Sequence, residues 1–179
     1  MQQYVAFLSG IAVGSKAVDG KTLHTVFERL GFLGVETFFA SGNVGFRTAV
    51  GRLQPLEAQI SRILRKETGH EIDAFIRTPA ELTDIVDYRP FPADAAQPPG
   101  SSMFVVFLSE RPNVNVERGL RACRTDQDDF NINGREIYWL RRSRHGASQS
   151  SSPPLAKALG VPATVRSLET VKKLAAKFR

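Results

Sequence analysis

Five residues, "VAFLS" at 5–9, return almost unchanged as "VVFLS" at 105–109. The residues after each run also correspond. "TFFASG" (37–42) is echoed by "DFNING" (129–134), which sets Phe130 beside Phe38 and Gly134 beside Gly42. Such self-similarity means that one supersecondary unit is used twice, and each copy must bury its apolar strand. The chain has 179 residues, enough for two small units with a core in each.

The first copy reads in order. Residues 4–11 are apolar and β-rich, which predicts a buried strand. "KTLHTVFERL" (21–30) puts Leu23, Val26, Phe27 and Leu30 at helical spacing, with Asp19 to cap the start and Gly31 to end the run. "VETFFA" (35–40) and "VGFRT" (44–48) read as strands joined by Ser41-Gly42-Asn43, the chemistry of a tight turn. "PLEAQISRILRKETG" (55–69) predicts a helix with Pro55 in its first turn and Gly69 at its close. A strand over 71–78 and a short helix over 79–87 come next. The order β-α-β-β-α-β predicts an antiparallel sheet with two helices on one face, the ferredoxin-like plait.

Residues 89–102 hold Pro90, Pro92, Pro98, Pro99 and Gly100, and no regular element survives there. The second copy then runs as a strand at 105–109, a helix at 113–123 and strands at 129–134 and 136–140. A Ser-rich loop (143–154) and a short helix ended by Gly160 come after them. "PATV" (162–165) is the short candidate for the final strand. "TVRSLETVKKLAAKF" (164–178) reads as an amphipathic helix, with Val165, Leu168, Val171, Leu174, Ala175 and Phe178 facing inward. The expected architecture is α+β: two tandem ferredoxin-like subdomains at 1–88 and 103–179, a linker at 89–102, and a C-terminal amphipathic helix.

The copies are out of step. The strand matches at an offset of 100 residues and the hairpin at 92, so the first copy is longer by about eight, around "GIAVGSKAVDG" (10–20). This is not a phosphate loop of the G-x-x-x-x-G-K-[ST] type. Gly10 and Gly14 are one residue too close, and Ser15 and Lys16 stand in the wrong order. An enlarged glycine loop before a helix start still suits a ligand, since free N–H groups there attract anions. Ser9, Gly10, Gly14, Ser15 and Lys16 are candidate ligand residues on this reading. A wide connection whose glycines relieve strain is the plainer alternative.

The net charge of +6 is uneven. Residues 135–179 hold ten Lys/Arg and two acids, which makes that segment +8 and the remainder −2. Local basic character attracts polyanions. Arg141, Arg142 and Arg144 crowd beside the Ser-rich loop and are the candidate polyanion contacts. Base stacking would need aromatics such as Tyr4 or Phe7 with Phe46, or Phe104, Phe107, Tyr138 and Trp139, although strand aromatics are more often core.

Other chemistries find little support. His24, His70 and His145 are scattered without ligand spacing, so no metal is expected. Cys123 has no nearby histidine to activate it. Asp126, Asp128 and Asp129 suit a solvated loop better than an acid–base pair. No dinucleotide fingerprint exists, and no cofactor is expected. The apolar runs are strand-length, and the first ten residues lack the basic start of a signal peptide, so a cytoplasmic protein away from membranes is expected.

Four stretches resemble a bacterial family of no assigned activity, domain of unknown function 1697. "SGIAVG" (9–14), "SGNVGF" (41–46), "SQS" (148–150) and "LGVPATVRSLETV" (159–171) stand where the family carries R-G-I-N-V-G, S-G-N-V-x-F, a Ser-Lys-Leu segment and L-G-x-x-A-T-T-R-N-W-N-T-V. The resemblance covers nearly the whole chain and implies two ferredoxin-like plaits in tandem. Its polar side chains are largely replaced: Ser9 and Ala12 stand for Arg and Asn, Gln149 for Lys, and Ser167-Leu168-Glu169 for Asn-Trp-Asn. Thr164, Arg166 and Thr170 remain. Two function classes fit these residues. The leading one is a non-catalytic binding or regulatory module for a polyanion such as nucleic acid, held weakly and without sequence preference. The other is a small-molecule site or enzyme in a cleft between the subdomains, using Ser9, Gly10, Gly14, Ser15, Lys16, Ser41, Asn43, Thr164 and Arg166.

Overall fold

The computed structural model describes residues 1–11, 18–38, 42–92, 100–142, 155 and 158–178. The chain divides into two compact units, Met1–Glu81 with Phe178–Arg179, and Leu82–Lys177. The division falls inside a helix, after Glu81, rather than in the proline-rich stretch. Together the units hold two four-stranded antiparallel sheets and, among the described residues, five helices.

The first unit contains β1 (Gln2–Leu8), α1 (Gly20–Arg29), β2 (Leu33–Phe38), β3 (Asn43–Thr48), α2 (Leu53–Thr68) and β4 (Ala74–Arg77). Its strand order is β2-β3-β1-β4. β1 is central: Val5 lies opposite Gly45 on one side and Arg77 on the other. Tyr4, Val5, Ala6, Phe7 and Leu8 are all buried, so both faces of this strand are covered. A strand covered on both faces gains from apolar residues at every position, which is why 4–8 shows no alternation.

On one face, Tyr4, Ala6 and Leu8 meet Leu23, Val26 and Phe27 of α1 and Leu56, Ile60 and Leu64 of α2. Phe32 stacks on Phe46 with centroids 4.7 Å apart, and Phe27 stands edge-on to Phe46 at 5.3 Å. Asp19 caps α1 by accepting from the Thr22 N–H at 2.7 Å, which pulls its carboxyl below the usual range. Gly69 ends α2 in the left-handed conformation, φ 71°. Phe178 groups with this unit, its ring edge-on to Phe38 at 5.4 Å.

Helix α3 (Pro79–Asp87) spans the division. The second unit continues with β5 (Ser102–Phe107), α4 (Val114–Ala122), β6 (Asp128–Asn133), β7 (Glu136–Arg141), β8 (Thr164–Ser167) and α5 (Leu168–Lys177). Its order, β6-β7-β5-β8, repeats that of the first sheet. The correspondence reaches single residues, because Val105 lies opposite Tyr138 and Arg166 as Val5 lies opposite Gly45 and Arg77. Phe104, Val106 and Leu108 pack with Val116, Leu120, Phe130, Ile137 and Trp139. Among the described residues, no helix is long and apolar enough to cross a membrane.

Three expectations need correction. The hairpins align differently from their sequence echo. Phe38 lies opposite Asn43, but Phe130 lies opposite Trp139, a place that the irregular Leu33–Glu36 stretch of β2 fills in the first sheet. The Leu8 N–H donates to the Gly42 carbonyl and the Leu108 N–H to that of Arg135, so Arg135 rather than Gly134 is the counterpart of Gly42. The loop surplus is also smaller. The strands are 100 residues apart and the helix caps Asp19 and Asn113 are 94 apart, leaving six extra residues before α1 instead of eight. Finally, the last helix starts at Leu168. Thr164–Ser167 pair with β5, as suits β-branched Thr164 and Val165, and the Ser167 hydroxyl accepts from the Thr170 N–H at 3.2 Å to open the helix.

Glu57 of α2 is buried beneath β4. Its Oε1 accepts from the Ile76 N–H at 2.7 Å and lies 3.9 Å from Nη1 of the fully buried Arg77. Removing one partner of a buried pair leaves the other charge uncompensated. Glu57→Ala is expected to destabilise the protein by about 3 kcal/mol, read from urea unfolding followed by circular dichroism.

Candidate anion-binding groove

The polar residues singled out in the sequence are engaged with the chain's own backbone and with each other. The Ser9 N–H donates to the Asp73 carbonyl at 2.9 Å, and its hydroxyl accepts from the Asp73 N–H at 3.0 Å. Gly10 has φ 69°, and a Cβ there would run into the Glu71 carbonyl, so both backbone conformation and close approach require glycine. Asn43 is 1% exposed and donates to the Phe38 carbonyl at 3.1 Å, tying β2 to β3. Gly14, Ser15, Lys16, Ser41 and Arg144 lie outside the described residues, as do Ala12 and Gln149.

Thr164 and Arg166 meet each other. Nη1 of Arg166 donates to the Thr164 hydroxyl at 2.7 Å and to the Val165 carbonyl at 2.8 Å. Burial lowers the Arg166 pKa to about 10. Arg77 makes the same turn back to the carbonyl before it, Ile76, at 2.8 Å. Ser9, Gly10 and Asn43 belong to the first unit, and Thr164 and Arg166 to the second. Ser167 caps α5, Leu168 begins it, and Glu169 pairs with Lys172 at 2.7 Å.

The basic cluster is neutralised locally. Arg141 lies 3.4 Å from Asp128 and 5.1 Å over the Trp139 ring. Arg142 lies 3.2 Å from Asp129. The Trp139 indole N–H donates to Asp128 at 2.7 Å. The aromatics that could have stacked on bases, from Tyr4 to Trp139, are all buried. Burial and the charges of Glu136, Tyr88 and Asp84 push the Tyr138 phenol well up, and its hydroxyl donates to the Ile85 carbonyl at 3.0 Å. Burial, with the charge of Asp128, likewise raises the Cys123 thiol and disfavours a thiolate.

Free positive charge gathers elsewhere in the second unit. Between α4 and β6 lies a cavity of about 230 Å³. Leu120, Phe130 and Ile132 give it an apolar floor, and Arg111, Arg121 and Arg124 line it with positive charge. Arg124 is anchored: Nη2 donates to the Phe130 carbonyl at 2.7 Å, and Nε lies 3.3 Å from Asp129. Arg111 and Arg121 are exposed and have no ion pair among the described residues. Glu117 is the one carboxylate in the described lining and Asp129 pairs with Arg124, so Arg111 and Arg121 leave the groove positive.

The helices α1 and α4 correspond position by position. The C-caps Leu30 and Cys123 are 93 apart, and at that offset the burial of the two helices coincides: Val116 matches Leu23, Leu120 matches Phe27 and Arg121 matches the exposed Glu28. Phe27 is fully buried among Phe32 and Phe46. Both halves bury an apolar side chain at this place, Phe27 or Leu120, and the exposed position after it is acidic Glu28 in the first half and basic Arg121 in the second. Sequence reasoning passed over these arginines because they are scattered among charged residues at 111–129. Aligning the two helices by their buried positions shows the one contrast of sign, Glu28 against Arg121.

A family model described as "Protein of unknown function (DUF1697)" matches residues 1–138. The chain belongs to this family. Among solved structures, the DUF1697 chain is similar to the conserved bacterial protein SP0830 from Streptococcus pneumoniae, with a TM-score of 0.71 and 19% identity over 99% of this chain and 98% of that one. That likeness concerns the fold. No curated protein matches the chain.

Because Arg141 and Arg142 are paired, their replacement by Ala should be felt as stability. The double variant is expected to lose about 1–2 kcal/mol, combining two partly exposed ion pairs with one cation–π contact. Urea unfolding followed by the Trp139 fluorescence checks this.

Proposed function

We propose that this DUF1697 chain is a non-catalytic binding module for an anionic ligand, held in the groove between α4 and β6. The observation that carries the reading is the pair of exposed arginines without ion pairs among the described residues, Arg111 and Arg121, beside an apolar floor of Leu120, Phe130 and Ile132. Guanidinium groups present planar forks of donors that match phosphate and carboxylate oxygens. Arg124, held by the Phe130 carbonyl and by Asp129, adds N–H donors that a ligand meets without ordering a further side chain, its charge being shared with Asp129. Glu117 is the only titratable group besides the arginines among the described lining residues, which suits holding a ligand rather than transferring protons.

The same reading takes each half as a ferredoxin-like plait descended from one duplicated unit, with the second modified to bind. The shared strand order and the paired buried arginines Arg77 and Arg166 support it. Nucleic acid is the less favoured polyanion, because the strand aromatics are buried and offer no stacking surface.

Titration with tripolyphosphate tests the proposal. Binding is expected to saturate at one site and to weaken as salt rises. Arg111→Ala and Arg121→Ala should each lower affinity by about tenfold, the value of one charge-assisted hydrogen bond, with unchanged circular dichroism. Absence of saturable binding at low salt, or binding indifferent to both substitutions, removes the groove from consideration.

A further inference from the structure

Arg111 lines a second cavity as well. This one is larger, about 360 Å³, and lies at the start of α4. Leu108, Pro112, Val116, Val161 and Pro162 give it apolar walls, and Ser109, Glu110 and Asn113 complete the lining, so an anionic head belongs on the arginine side. Val161 is 42% exposed, an apolar side chain left facing solvent beside an open cavity. The two spaces therefore adjoin at one guanidinium group, with the cationic groove on one side and the apolar one on the other.

We propose that the ligand is an amphipathic anion of small size, with a phosphate or carboxylate head and an apolar body. The proposal rests on the anion-binding reading of the groove and adds the apolar half. The head lies against Arg111, Arg121 and Arg124. The body lies against Val116, Val161 and Pro162, and covers the exposed Val161. Arg111 suits the junction, since its aliphatic stem can lie along apolar surface while its head reaches the anion. A bare inorganic anion would leave the larger cavity unused. A long polyanion would bring further charge into it, where no second arginine stands among the described lining residues.

Calorimetric titration with inorganic phosphate and with hexyl phosphate separates the head from the tail, since the probes share the one and differ in the other. Each methylene buried improves affinity by about fourfold, so hexyl phosphate is expected to bind at least about tenfold more tightly than phosphate. Arg121→Ala should weaken both probes. Val161→Asn should shrink the ratio between them several-fold. Equal affinity of the two probes, with phosphate still sensitive to Arg121→Ala, would overturn the apolar half and leave the anion reading standing. Binding of neither probe removes both. A tail advantage that survives both Val161→Asn and Val116→Ala would place the tail elsewhere and also overturn the proposal.

Discussion

Each sheet depends on a central strand that is covered on both faces. β1 and β5 each have a hydrogen-bonded neighbour on both edges and an unbroken run of buried side chains, Tyr4–Leu8 and Phe104–Phe107. Such a strand cannot slip in register without moving polar groups of its neighbours into apolar surroundings. The register is what sets Arg77 opposite Val5 and Arg166 opposite Val105. A buried guanidinium needs acceptors at once, and in both sheets it finds one in the carbonyl of the preceding residue. In the first sheet Glu57 stands near as well. In the second the Thr164 hydroxyl takes part. The two halves thus solve the same problem of a buried cation with different partners.

This constraint explains what was legible in the sequence. A strand covered on both faces reads as an unbroken apolar run, and two such runs are easy to match, as "VAFLS" and "VVFLS" are. The order of elements in the first half came from helix periodicity, from the Asp19 cap and from the glycines that end helices. The hairpins misled, because their alignment depends on turn length and on a bulge in β2, and neither changes the composition. Phe130 and Phe38 look alike in their local strings, yet cross-strand pairing sets them in different places. The last helix misled for a related reason. The apolar spacing of 164–178 continues smoothly through Val165, and only pairing with β5 shows that Thr164–Ser167 is strand.

The site was less legible than the fold. Ser9, Asn43 and Thr164 are polar residues beside glycines or turns, the pattern expected of ligand contacts. It is also the pattern of residues that satisfy backbone groups at strand ends, and the distances show the second use. The charge excess at 135–179 pointed to Arg141 and Arg142, but formal charge does not record pairing. Asp128 and Asp129 lie outside that segment in sequence and beside it across the strands, so the excess is compensated where the sequence concentrates it most.

The two helices that follow the central strands agree where they are buried. Val116, Leu120 and Cys123 hold the places of Leu23, Phe27 and Leu30, with the same sequence of buried and half-buried positions. Burying a large apolar side chain contributes about 1.5–3 kcal/mol, so both halves keep the positions that hold the helix to the sheet. Exposed positions escape that constraint. There Glu28 of the first half stands against Arg121 of the second, which has no ion pair among the described residues. Surface charges without partners return little stability of their own, so such a position can change sign at no cost to the core. The positive charge between α4 and β6 is therefore carried by positions that the fold does not need, beside an apolar floor that it does.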